Sequence, residues 1–455
     1  MFEKWLRFNP LIHRQFQGQP DPELTQILHN TGWLFSGKVL RLGISLLVST
    51  WIARYLRPEG FGQLQYALVF ASFFDPLSTV KMGQVVTRDL VQRPEASATI
   101  LGTAFVLQLA GGTLAAGLCV LGVLWLAPQE PLIQLLVAIT ALKFIFNSLQ
   151  PIENWFEARV ASKYVVLAEH SVFFLIVLLR CGLVLWQATV VAFAIAIVLE
   201  SSLYALGLAV CYTRQRQSIW AWRTSGPHLA YLLREAWPLV LSSTAVVIYL
   251  NVDQMMLGHL IGKQAVGIYA SAANLSEATA FLPVIVGSSL YPRIIQSRQL
   301  ETATYQRRLQ QFYDLNTLMA YGLMVILVPL AGLLIRQLYG VDYVAAIPIL
   351  MVHLFSTVFT FLGIAQSKWI VTEGLQKFNF YARLVGLISN IGLNFLLIPY
   401  FGGMGAALAT LISYALGGYL FFWLTPPTRG NAWLMTKALA LPLRLPRVLK
   451  ALNQP

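Results

Sequence analysis

Apolar residues run along this chain in long blocks, without the one-sided or alternating patterns of water-soluble elements. A helix needs about 20 apolar residues to cross a ~30 Å hydrocarbon layer. Twelve stretches bounded by Pro, Gly or charge meet that length: 32–53, 63–86, 98–126, 131–150, 163–186, 188–212, 237–260, 267–290, 313–336, 344–366, 378–399 and 402–424. The longest internal polar segment lies between the sixth and the seventh. The pattern predicts an N-terminal segment (1–30), a first set of six helices (31–212), a linker (213–236), a second set of six (237–424) and a basic tail (425–455). Within the linker, Leu229, Leu232, Leu233 and Ala236 fall on one side, which predicts an amphipathic helix at the membrane interface.

Composition sharpens this into a class. The chain is 57% hydrophobic and 11% charged, against roughly 25% charged in globular proteins, too little charge to cover a water-facing surface. The expected fold is an all-α polytopic membrane protein. Lys and Arg alternate loop by loop: 23 fall on one side and four on the other, the latter being Arg54, Arg57, Lys263 and Arg336. Positive residues stay on the cytoplasmic side, so both termini are expected there. No cleavable leader is expected, because the first 24 residues lack an apolar core followed by small residues. The net charge of +13 is thus a topology signal that also attracts anionic lipid headgroups. No nucleic-acid motif accompanies it.

The two sets of six also resemble each other. Shifting residues 54–93 by 205 positions places Gly62 on Gly267, Ala67 on Ala272, Leu77 on Leu282, Arg88 on Arg293 and Arg93 on Arg298. Each half then has a helix, a short outer loop, a second helix and two Arg five apart at its inner end. Six spans per half give both copies the same orientation, so a pseudo-two-fold would run along the membrane normal, as in many transporters.

Enzyme signatures are missing: there is no GxSxG, HExxH, Walker-type loop or acidic pair on an outer loop. Ser78 to Lys81 fits SxxK without the companion motifs of that nucleophile class, and reads as a helix-end hydroxyl and a cytoplasmic Lys. The three Cys and six His have no metal-site spacing, and no cofactor is expected. The chemistry lies in polar groups inside the apolar stretches, of which each ionisable one costs roughly 2.5 to 3.5 kcal/mol at the bilayer centre. Lys38, Arg41, Ser45 and Ser49 share one helix face, as do Gln65, Ser72, Asp75 and Thr79. At about 1.5 Å per residue, Arg41, Asp75, Lys143, Glu200 and Glu277 come near the midplane, with Arg180 and Asp253 nearer the outside. The first half carries a slight cationic excess. Paired across helices, these charges would only fix packing; facing a shared cavity, Lys38, Arg41, Lys143 and Arg180 would hold an anion, and Asp253, Asp75 and Glu200 a proton or Na+.

The run WIARYLRPEGFGQLQYALVF at 51–70, VTRDL at 86–90, VDQMMLGHLIGKQAVGIYASAANLSE at 252–277 and LYPRI at 290–294 resemble Wzx-type polysaccharide flippases. These belong to the multidrug/oligosaccharidyl-lipid/polysaccharide exporter superfamily. The resemblance runs from Asn30 to about Leu424. It implies two six-helix lobes and alternating access that moves an undecaprenyl-diphosphate-linked oligosaccharide between leaflets, alongside a polymerase and glycosyltransferases of polysaccharide assembly. Carried onto matching positions are Arg54, Gly62, Asp253, Gly267, Tyr269 and Pro292, with Asp253 the functional candidate. The family pattern at the outer end of the first helix reads Arg-Tyr-Leu-Gly-Pro, where this chain has Arg57 in place of Gly.

Two other readings compete. A multidrug exporter of the same fold would favour acidic and aromatic groups for cationic cargo, against the cationic excess of the first half. A membrane polymerase or glycosyltransferase would need a sizeable outer loop with paired acids.

Overall fold

The computed structural model describes residues 22–298 and 302–444, with the side chains of 22–39, 288, 289, 292, 293 and 297 outside that description. The described residues are helical throughout, with no strand. In lipid, a helix satisfies its own backbone polar groups, so long apolar blocks have no other open form.

The first half comprises α1 (Pro22–Ser72), α2 (Asp75–Thr79), α3 (Gly83–Gln92), α4 (Ser97–Leu126), α5 (Pro131–Ala141), α6 (Lys143–Phe146), α7 (Pro151–Ala158), α8 (Lys163–Leu185) and α9 (Val190–Arg214). The second comprises α10 (Gly226–Leu260), α11 (Lys263–Glu277), α12 (Phe281–Arg298), α13 (Thr302–Leu338), α14 (Ala346–Thr372), α15 (Gln376–Ala415), α16 (Phe421–Leu424) and α17 (Pro426–Leu439). Eight helices among the described residues are long and apolar enough to cross a membrane. The last of these, Gln376–Leu424, runs 49 residues and bends at Gly402, whose φ is 53°. At about 1.5 Å per residue it is long enough to cross twice, so it carries the eleventh and twelfth predicted stretches. The eighth stretch is built from α11 and α12, joined by a tight turn at Ala278–Ala280.

Two compact units divide the chain, the first ending at Leu47 and the second beginning at Val48. Within the second, each half has its own apolar core. One is built from residues such as Met82, Leu101, Phe156 and Leu208, the other from Tyr313, Phe361, Ile370 and Met435. The linker helix differs from expectation. It is continuous with the seventh span as one 35-residue helix, α10, with Pro238 inside it. Its Leu232 and Ala236 enter the first half's core, while Leu233 stays half exposed. The connection ahead of it is pinned: the Arg223 N–H donates to Ala98 O at 3.1 Å and the Ser225 N–H to Thr103 Oγ1 at 3.1 Å. Gly102 lets the Arg223 backbone lie against α4, since a Cβ there would come within 2.3 Å of Arg223 O.

Candidate functional site

The two halves cross at a close backbone contact, which forms a rim where α1 meets the start of α11. A Cβ on Gly62 would fall 1.7 Å from Lys263 O, and one on Gly267 would fall 2.0 Å from Pro58 O. Gly62 and Gly267 are 205 positions apart, and so are Pro58 and Lys263. Each half therefore presents to the other the same residue positions that the other presents to it, the signature of an isologous contact about a two-fold. The repeat offset drawn from sequence is also the offset of the physical contact. It extends to the turns: Arg57 has φ 58°, ψ 173°, and Gly262, 205 positions on, has φ 128°, ψ 174°.

The flanks of this crossing differ. On one, Lys263 Nζ lies 3.0 Å from Glu130 Oε1, 3.1 Å from Gly258 O and 4.0 Å from the Tyr66 ring centroid. On the other, the Tyr343 hydroxyl donates to Ala53 O at 2.7 Å and Arg54 Nη1 to Gln337 O at 3.4 Å. Gly258 and Gly262 divide the work of their five-residue segment. Gly258 admits the Tyr66 ring, which a Cβ would meet at 2.4 Å, and Gly262 makes the turn.

A second polar cluster sits inside the second half. Asp253 of α10 is 6% exposed. Its Oδ2 accepts from the Tyr269 hydroxyl of α11 and, at 3.3 Å, from Thr410 Oγ1 of α15, while Oδ1 accepts from the Gln254 N–H at 2.7 Å. The Tyr269 ring meets His353 of α14 edge-on at 5.1 Å. Asn394 donates to Asn390 at 2.9 Å, Asn390 to Ser413 at 3.1 Å, and Ser413 to Thr410 O at 3.0 Å. Three helices, α10, α11 and α15, thus supply the hydrogen bonds to one carboxylate, and a fourth, α14, packs His353 against the tyrosine. Gln254 Oε1 and Asn394 Oδ1 are buried there without a hydrogen-bond partner among the described residues.

In the first half the structure brings together residues that the sequence assigned to different tasks. Lys143 Nζ lies 3.3 Å from Asp75 Oδ1, and Arg180 Nη2 lies 2.8 Å from Glu200 Oε2. Asp75 and Lys143 each open a short helix after a break, α2 and α6. An acid in a first helical turn is favoured by the helix dipole. All four side chains keep part of their surface open. Ser78 donates to Asp75 O at 2.9 Å and accepts from Asn147 Nδ2 at 2.9 Å, while Lys81 is exposed in the following turn, so the two are not a nucleophile and its base. Arg41 is half-buried on α1, in the unit ending at Leu47, and Ser45 is exposed. The side chains of Lys38 and Pro292 lie outside the described residues. Among the described residues no three His, Cys, Asp or Glu converge as a metal centre.

Reading residues alone missed Glu130 and Tyr66 as partners of Lys263, and Thr410 and His353 as neighbours of the Asp253–Tyr269 bond. The 205-position offset was the one signal that could have led to the rim.

Comparison with known proteins follows the same lines. A family profile described as polysaccharide biosynthesis protein matches residues 27–298. The protein named "Probable flippase AglR" of Haloferax volcanii is 29% identical over 192 residues, covering 38% of this chain and 37% of its own length. The capsular polysaccharide biosynthesis protein CapF of Staphylococcus aureus is 23% identical, over 41% of this chain and 48% of that protein. The chain thus matches less than half the length of either relative. Among solved structures, the lipid II flippase MurJ in an inward closed conformation superposes with a TM-score of 0.73 over 93% of each chain, at 16% identity. At that identity the likeness is one of fold: a multi-pass helical membrane protein.

Proposed function

The chain belongs to the polysaccharide biosynthesis protein family, and on that premise we propose that it is a flippase, moving a lipid-linked oligosaccharide across the bacterial inner membrane by alternating access. The observation that carries the reading is the isologous rim. Two similar halves, each with its own core, cross through the same pair of positions, an arrangement suited to parting on one side while closing on the other. In this reading the lobes are 31–212 and 237–424, joined by the linker 213–236 and flanked by cytoplasmic segments 1–30 and 425–455. The protein is a carrier and catalyses no covalent step.

The proposed cargo is an undecaprenyl-diphosphate-linked glycan. A diphosphate forms strong charge-assisted bonds with Arg and Lys, and the stripe of Lys38 and Arg41 offers both. Lys143 and Arg180 would bind an anion by exchange: each faces a carboxylate, Asp75 or Glu200, so an anionic headgroup would displace that partner. The freed carboxylate then becomes a place for a proton or Na+. Asp253 is the third such place, its oxygen-rich surroundings suiting a proton or a hard cation. Glycosyltransferases and a polymerase would act before and after the carrier. Anionic lipid headgroups would meet the linker, where Trp220 is 98% exposed and Arg214, Arg216 and Arg223 are exposed beside it.

Surface glycan in a strain lacking its own flippase tests the reading. Arg41→Glu should abolish export while the protein still inserts and accumulates. Arg41→Lys should keep part of it, because a point charge replaces a bidentate fork. Full export by Arg41→Glu would refute the role given to this cationic stripe.

A further inference from the structure

The two flanks of the rim are related by the pseudo-two-fold, yet among the described residues only one of them holds an ion pair. Lys263 opens α11, the positive end of a helix dipole, where a cation is disfavoured. Its side chain is nevertheless only 7% exposed. Three contacts account for it. Gly258 O, near the C-terminal end of α10, is a carbonyl of its own half. Glu130 and the Tyr66 ring belong to the other half. At the position 205 residues earlier stands Pro58, which has no charge to offer. The opposite flank is held by donors to backbone carbonyls, Tyr343 to Ala53 O and Arg54 to Gln337 O.

We propose that Lys263, Glu130 and Tyr66 form a one-sided electrostatic latch that sets how readily the outer rim opens. When the halves part there, Lys263 loses the carboxylate and the ring together and keeps Gly258 O, with water replacing the rest. A charge-assisted hydrogen bond and a cation–π contact are both stronger in a partly desolvated rim than in water. Removing either charge leaves the other facing a neutral group, so both losses act in the same direction, toward the open rim. The flank held through backbone carbonyls gives way first and the ion-paired flank acts as its hinge. The latch rests on the alternating-access reading but is tested without cargo.

Nitroxide labels at the exposed rim residues Leu132 and Ile261, one in each half, report the gap across this flank by pulsed electron resonance in a background with Cys119, Cys181 and Cys211 replaced by Ala. Lys263→Met and Glu130→Gln should each raise the ratio of long to short distances about tenfold, equivalent to about 1.4 kcal/mol. Lys263→Arg and Glu130→Asp should stay close to the parent. The double variant Lys263→Met with Glu130→Gln should exceed neither single by more than about twofold, because the two act through one bond. An unchanged distribution in Glu130→Gln, or full additivity in the double variant, would overturn the latch. Glu130 is half-exposed, so its variant remains informative should Lys263→Met fail to insert. A latch that responds as expected in a protein that exports no glycan would leave the latch standing and refute the flippase reading.

Discussion

Arg57 occupies a backbone conformation that its side chain disfavours, and removing the side chain should stabilise the protein. Pro58 follows it, and a residue before proline is kept out of the right-handed helical region. The chain must also turn there, between the first and second spans. The result is φ 58°, ψ 173°, a region that is essentially glycine's and costs other residues about 1 to 3 kcal/mol. Gly262 makes the equivalent turn with φ 128°, ψ 174° and no Cβ to strain. In Arg57→Gly the strain is released, while the greater freedom of unfolded glycine returns about 0.5 to 1 kcal/mol. The net gain should be about 0 to 2.5 kcal/mol. The guanidinium is exposed, and its loss alone should fall within about 0.5 kcal/mol. Arg57→Ala separates the two effects, since Ala removes the charge and keeps the Cβ. Reversible unfolding in mixed micelles should therefore rank Arg57→Gly above both the parent and Arg57→Ala, with Gly262→Ala below the parent. If Arg57→Gly is no more stable than Arg57→Ala, backbone strain at this turn is not what the geometry implies.

Three other outcomes follow from the same geometry. Gly267→Ala should hold the outer rim apart, because its Cβ would meet Pro58 O at 2.0 Å; labels across the rim should report a permanent open fraction, and a parent-like distribution would refute the tight crossing. Asp253→Asn keeps an acceptor for Tyr269 and Thr410 but cannot take up a proton or balance a cation, so glycan export should lose its dependence on the ion gradient; export at the parent rate with that dependence intact would remove Asp253 from coupling. Reporter fusions after Arg223 and Lys450 should read cytoplasm and those after Gln129 and Lys263 the outside, and termini on opposite sides would break the two-half symmetry.

Much of the fold was legible because spanning helices are written in long apolar blocks that need no tertiary information. The family resemblance rested on short runs around Arg54, Gly62, Asp253 and Gly267, which also shape the rim. What the residues could not show was rotation. Helix faces place Asp75 and Lys143 on their own helices, yet whether they meet depends on how α2 and α6 turn toward each other across 68 positions of chain. The same holds for Glu130 and Lys263, paired across 133 positions. At Arg57 the sequence showed a departure from the family's glycine, and only the backbone showed that the glycine geometry stayed when the glycine left. The linker helix was visible as amphipathic; its continuity with the seventh span was not, because Pro238 looks like a boundary and is accommodated inside α10.

The crossing of Gly62 and Gly267 bears on how the two halves could grow apart. Away from the axis, each half is surrounded mainly by itself, so a substitution in one can be absorbed by its own neighbours without reference to the copy. On the axis each half is the other's environment. A methyl group added at Gly62 meets the carbonyl of Lys263, and one added at Gly267 meets that of Pro58, so neither position can drift while the other waits. Backbone has no smaller variant to offer in compensation. Two copies of a duplicated six-helix unit could thus lose most shared residues and still be held to glycine where each is pressed against the other in this way.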